Sequence, residues 1–276
     1  MLKTRSFVLM AAIALLTSCT NTPPLAQSVN PSAATASAQP LSYDTYGTVL
    51  KTYVNAKGLV DYPALQVNPQ PLKTFIANLG AVSPSTYAAW SEPDKIAFLI
   101  NAYNAITLES IIDQKPLKKS IKDIWGVWNS NKHTLLGEAK TLDNIEHQIL
   151  RKQFDEPRIH AALVCAAMSC PPLLPEPYTG AKLNAQLDDR VRQWLSSTGL
   201  QIDRTQNKVK ISAIFDWFGD DWQKQYSVEG KFAGNAKQRA TLNFISRYVS
   251  APDRDYLAQG QYKLSYLNYD WSLNRQ

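Results

Sequence analysis

One segment limits the possible folds more than any other. From Ile96 to Ile112, apolar side chains fall on nearly every side of a helix: Ile96, Phe98, Leu99, Ile100, Tyr103, Ile106, Leu108, Ile111 and Ile112. Its start is well marked, with Ser91 as N-cap, Pro93 in the first turn, and Glu92 and Asp94 at the positive end of the dipole. A helix apolar all round has to be wrapped by other elements. The rest of the chain can supply that wrapping, because its 276 residues are 45% hydrophobic and include 7 Trp, 13 Tyr and 8 Phe. The same composition excludes a collagen-like or wholly disordered protein.

The N-terminus reads differently. Lys3 and Arg5 precede the apolar stretch Phe7–Leu16, which is too short to span a bilayer, so residues 1–18 are expected to be a signal peptide. The segment ends in Leu16-Thr17-Ser18-Cys19, which resembles the lipobox of bacterial lipoproteins. That resemblance implies cleavage before Cys19, lipid on its thiol and, with Thr20 rather than Asp following, the periplasmic face of an outer membrane. Residues 19–40 contain Pro23, Pro24, Pro31 and Pro40 among small polar residues and carry no charge, as a disordered tether would. Residues 41–276 are then expected to form a single globular domain. The net charge of +6 is mild, and Lys118-Lys119 is the densest basic cluster after the leader, so nucleic acid is not an expected partner.

Within the domain, helical spacing is expected at Tyr46, Leu50 and Val54, at Pro71–Leu79, at Thr141–Phe154 behind a Thr141 cap, at Lys182–Ser197 and at Ala236–Val249. Hairpins are expected over Ile124–Leu136 and Ile202–Ile211, and strands over Ile159–Cys165 and Tyr262–Tyr266. Helices and hairpins mix without regular alternation. This predicts a single-domain α+β fold: a buried central helix, several peripheral helices and short strands.

Chemistry-bearing residues concentrate around His160. With Cys19 lipidated, Cys165 and Cys170 remain as one pair in an oxidising compartment. They form a disulfide, contributing about 2 kcal/mol on the chain-entropy model, leave Cys170 as a nucleophile beside a histidine base, or stay as two inert thiols. On a regular strand His160 and Cys165 would point to opposite faces, which favours Cys170 over Cys165 as the thiol. Asn101 and Asn104 lie one turn apart on the apolar helix and need hydrogen-bond partners, either loop backbone or a ligand. Glu146 has Leu142 and Leu150 on its side of a helix, an environment that raises a carboxyl pKa unless Arg151, Arg158 or His160 pairs with it. His147 is expected to be solvated. One nitrogen of His160 is expected on Glu146, Asn101, Asn104 or Asp270, and the other in a cleft. Three scattered histidines give no zinc pattern, and there is no phosphate loop or G-x-S-x-G elbow, so no cofactor is implied.

Four blocks, Asn101-Ala102-Tyr103-Asn104, Leu142–His147, Arg158–Leu173 and Tyr269–Asn274, together resemble the uncharacterised DUF family number 547. They add Tyr103, Asn104 and Ser169 as candidate binding residues. The order Asn101, His160, Asp270 is that of a distant papain- or transglutaminase-like arrangement. Two functions therefore stand side by side. One is a thiol/His-dependent hydrolase or acyltransferase acting on an envelope amide or ester, with His160, Cys170, Glu146, Asn101 and Asp270 at work. The other is a non-catalytic domain, lipid-anchored to the membrane, that binds an envelope protein, peptide or glycan.

Overall fold

The computed structural model describes residues 41–276, so the signal segment, Cys19 and the tether lie outside the described residues. In chain order these residues form α1 (Asp44–Tyr53), α2 (Tyr62–Val67), α3 (Gln70–Ala81), α4 (Pro84–Ala88) and α5 (Glu92–Ile112). A hairpin of β1 (His133–Leu135) and β2 (Glu138–Lys140) follows. Next comes a widened π turn, Asn144–Leu150, running into α6 (Arg151–Gln153), and then α7 (Leu183–Trp194). The last part comprises β3 (Leu200–Asp203), β4 (Lys208–Ile211), α8 (Ile214–Trp217), α9 (Asp220–Tyr226), α10 (Ala236–Ser246), α11 (Ala251–Gln259) and β5 (Lys263–Tyr266). The fold is α+β: β1 and β2 pair alone, while β3–β4 pair antiparallel and β5 joins β4 in parallel.

Helix α5 is the axle. Its Ser91 side chain accepts the Asp94 N–H, and nearly every residue from Ile96 to Ile112 is buried. Around it packs one apolar cluster that includes Phe75, Leu79, Leu142 and Leu150. A second cluster centres on Trp194, Phe215, Trp222 and Phe244. The C-terminal segment laces the molecule together. Arg275 bridges Val60, Ser272 bridges Ser120 and Leu273 bridges Ala167, while the Tyr62 hydroxyl donates to buried Asn274 Oδ1 at 2.7 Å. That lacing fixes Tyr269 and Trp271 beside the loop that carries the cysteines.

Two expected elements are different in the structure. Ile159–Cys165 is not a strand: Pro157–Ala161 is a 3₁₀ turn, and an irregular run follows it, with Ala166 at φ +58°. Pro157 preorganises the turn, and the alanine-rich run that follows has little of the β-branched character strands require. The backbone partners come from Asn104 instead of a neighbouring strand. The face-parity argument about His160 and Cys165 therefore does not apply, and a papain-like order has no strand to carry its histidine. The first hairpin also moves. Gly126, at φ +65°, closes a tight turn by accepting the Ser130 and Asn131 N–H groups, and the strands reverse later, at Leu136-Gly137, both with positive φ. Two successive left-handed residues are what a two-residue hairpin turn demands.

Candidate functional site

The cleft that holds His160 is built from several separate stretches of chain. Pro157–Ala161 brings in His160, which is 3% exposed. Its Nε2 lies 2.7 Å from Asp221 Oδ2, at the start of α9, and its ring stacks on Phe218 with centroids 4.6 Å apart. Arg151 grips the same carboxylate with two bonds, Nε to Oδ2 at 2.6 Å and Nη2 to Oδ1 at 2.9 Å. Burial alone would raise the Asp221 pKa, but the hydrogen bonds from His160 and Arg151 outweigh it and hold the carboxyl far below the usual range. An ionised Asp221 can only accept, so Nε2 keeps the proton and donates it in the hydrogen bond, and Nδ1 carries the lone pair. Burial pushes the imidazole pKa down, against the pull of Asp221, so the ring is a neutral base at pH 7.

Glu146 comes from the π turn. It is 8% exposed, and burial lifts its carboxyl to about 7, against the lowering influence of hydrogen bonding with Tyr103 and the charge of Arg151. The widened turn also brings His147 into the cleft. His147 is half-buried rather than solvated, with Nδ1 3.2 Å from Arg151 and Nε2 3.7 Å from Asp143, and burial lowers its pKa. π turns interrupt α-helices at a cost and are frequent at functional sites.

The third stretch is the cysteine loop. Cys165 and Cys170 are joined by a disulfide, with Cα atoms 6.2 Å apart. The Cys165 N–H points at Cys170 Sγ at 3.0 Å, and the Tyr269 hydroxyl lies 3.2 Å from both sulfurs. Aromatic rings complete the walls. Trp217 stacks on Trp271 at 5.7 Å, and Trp128 meets Trp271 edge-on. The cavity has a volume of about 360 Å³ and is lined by His160, Glu146, Tyr103, Cys165 and Cys170 together with these rings.

Other candidates from the sequence sit elsewhere. Asn101 bonds both backbone groups of Tyr178, donating to its oxygen at 2.8 Å and accepting its N–H at 2.9 Å, and does not line the cleft. Asn104 donates to Ala162 O and accepts from Val164 N–H, both at 2.9 Å, so it holds the loop behind His160 rather than a ligand. Asp270 is not the partner of His160. It accepts from the Ser272 N–H and hydroxyl on the surface, and its own N–H goes to Ser169 Oγ at 2.8 Å, which makes Ser169 a brace as well. Arg158 pairs with Glu156 and Asp188, away from Glu146. Asp221 was missed. Its signal was the spacing of Phe215, Phe218, Trp222 and Tyr226, which marks one apolar face with two acids, Asp220 and Asp221, at the helix start.

Residues 87–195 match the family DUF547, described as a protein of unknown function. The DUF547 segment contains α5, the π turn, His160, the cysteine loop and α7, and therefore most of the cleft. It does not contain Asp221 or the wall formed by Trp217, Tyr269 and Trp271, and the terminal block Tyr269–Asn274 falls outside it. No curated protein and no solved structure gives a match. Among the described residues, no helix is long and apolar enough to cross a membrane, and no group of three or more His, Cys, Asp or Glu side chains is placed to hold a metal ion.

Proposed function

We propose that this chain is a lipid-anchored envelope protein whose cleft catalyses hydrolysis or acyl transfer at an amide or ester by acid–base chemistry. One observation carries the reading: Asp221 holds Nε2 of His160 at 2.7 Å, while the ring lines an aromatic-walled cleft and Nδ1 has no hydrogen-bond partner among the described residues. In that tautomer Nδ1 can take a proton from water or from an acceptor hydroxyl as its oxygen attacks the substrate carbonyl. Asp221 stabilises the imidazolium that forms, and Arg151 keeps Asp221 ionised. Glu146, with a pKa near 7, is partly protonated at neutral pH and suited to return a proton to the leaving nitrogen or oxygen. Anchorage rests on the lipobox-like tetrad that ends at Cys19.

A thiol route is favoured by a separate observation. The Cys165 N–H and the Tyr269 hydroxyl are both positioned to stabilise a Cys170 thiolate, which a dithiol reductant would release. Incubation of the protein with isolated cell envelopes, followed by mass spectrometry of cleaved or transferred acyl groups, tests both routes. The wild type should act, and His160→Gln should not, at an unchanged melting temperature. Activity without reductant supports water attack, and activity only after reduction supports the thiol. Identical envelopes with and without the wild-type protein would overturn catalysis and leave a binding domain.

A further inference from the structure

The turn that leads into the cleft wall concentrates basic side chains around an exposed tryptophan. Residues 115–132 contain five lysines, Lys115, Lys118, Lys119, Lys122 and Lys132, against one acid, Asp123. All five are exposed, and Asp123 is occupied by the Ser120 N–H. Lys73, Lys140, Lys224 and Lys237 sit in ion pairs, whereas none of these five does among the described residues. In their midst Trp125 is 84% exposed, an extreme value for the largest apolar side chain. Its position is built rather than frayed. The Asn131 amide donates to the Trp125 oxygen, the flanking Ile124 and Val127 are buried, and Gly126 closes the turn beneath it. The surface is continuous with the cleft mouth, since Lys122 Nζ lies 5.1 Å from the ring centre of Trp271 and Trp217 beside it is 45% exposed.

We propose that this lysine–tryptophan turn docks the domain on an anionic phospholipid surface. The charges alone would suit any polyanion, but a rigidly presented indole among flexible lysines is the pairing that a headgroup layer rewards. Tryptophan settles at the boundary between acyl chains and headgroups, and each lysine gains from the negative surface potential. Lysines, which act as point charges, also suit a fluid layer of headgroups better than a fixed array of phosphates that arginine forks would read. Docked this way, the cleft mouth edged by Trp217 and Trp271 lies at the headgroup layer. The inference does not depend on catalysis in the cleft or on lipid at Cys19.

The test uses residues 20–276, which keep the whole described unit and carry no site for the lipid. Sedimentation with vesicles should show binding to phosphatidylcholine mixed with phosphatidylglycerol, little binding to phosphatidylcholine alone, and release by salt. Each lysine removed should weaken binding about fivefold, so Lys118→Gln, Lys119→Gln and Lys122→Gln together should cost about a hundredfold. Trp125→Ala should weaken binding with no loss of melting temperature, and bromine-labelled lipid should quench the wild type more than that variant. Failure to bind the mixed vesicles, binding that the variants leave unchanged, or binding to dextran sulfate without binding to vesicles would overturn the proposal.

Discussion

At the scale of single residues, the site depends on a charge balance that sequence periodicity could not reveal. Asp221 lies sixty-one positions from His160 and seventy from Arg151, and only the fold brings the three together. Exchanging Asp221 for Asn removes the carboxylate that raises the imidazole pKa, so the histidine should titrate lower still. An NMR titration of His160 in Asp221→Asn would show this, and an unchanged or higher value would remove Asp221 from the proposed role. Arg151 would also lose its partner, at a stability cost of roughly 2 kcal/mol by denaturant titration. Glu146 shows the opposite linkage. Its folded pKa of about 7 exceeds the ordinary 4.5, so the native state holds the proton more tightly than the unfolded chain does. The contribution of Glu146 to stability should therefore fall as pH rises from about 4.5 to 7 and level off above that, while the lowered pKa values of His147 and His160 act in the opposite sense near the upper end of that range. Glu146→Gln should flatten this limb, gaining at most about 3 kcal/mol above pH 7. Equal pH slopes for the two proteins would contradict the buried-acid assignment. That Glu146 sits in an apolar setting was legible from Leu142 and Leu150, but its nearness to Tyr103 was not.

At the scale of elements, helices with marked ends were readable and the loop that carries His160 and the cysteines was not. Ser91, Glu92, Pro93 and Asp94 state the start of α5 in local chemistry, and the apolar run states its burial. The hairpin around Gln206-Asn207 was readable too, because Asn207 takes the positive φ that the turn needs. Residues 157–170 give no such local signal. Their small apolar composition resembles a buried strand, yet their conformation is dictated from outside, by an amide on α5 and by bridges to the C-terminal segment. Asn104 is therefore the clearest probe of how α5 holds the loop behind His160. Asn104→Ala would leave Ala162 O and Val164 N–H buried without partners, at a cost of about 3 kcal/mol. The same change should speed amide exchange at Val164 far more than exchange within α5. Uniform acceleration along the chain would mean that Asn104 contributes general stability and does not hold the loop.

At the scale of the whole molecule, the fold sets the His160 cleft and the lysine–tryptophan turn beside one another, with Trp271 shared between them. Helix α5 is surrounded, the C-terminal segment ties the first helices to the cysteine loop, and Tyr269 and Trp271 of that segment help wall the cleft. The α+β class could be read because the order of helices and hairpins excludes regular alternation. The architecture could not, since the two small sheets contribute little and the decisive contacts join residues near 60, 120, 167 and 273. Attachment is a separate, covalent question. One acyl chain gives only marginal binding, at about 0.8 kcal/mol per buried methylene, whereas two or more hold a protein stably. If Cys19 carries diacylglycerol, as the preceding Leu16-Thr17-Ser18 suggests, the protein should remain with membranes through a high-salt wash that would strip a purely electrostatic contact. Cys19→Ser should then release it, and mass spectrometry of the wild-type N-terminal peptide should find a lipid-modified Cys19 as its first residue. An unmodified peptide beginning at any other position would refute the anchor, and salt-sensitive membrane association would then have to come from the lysine–tryptophan turn alone.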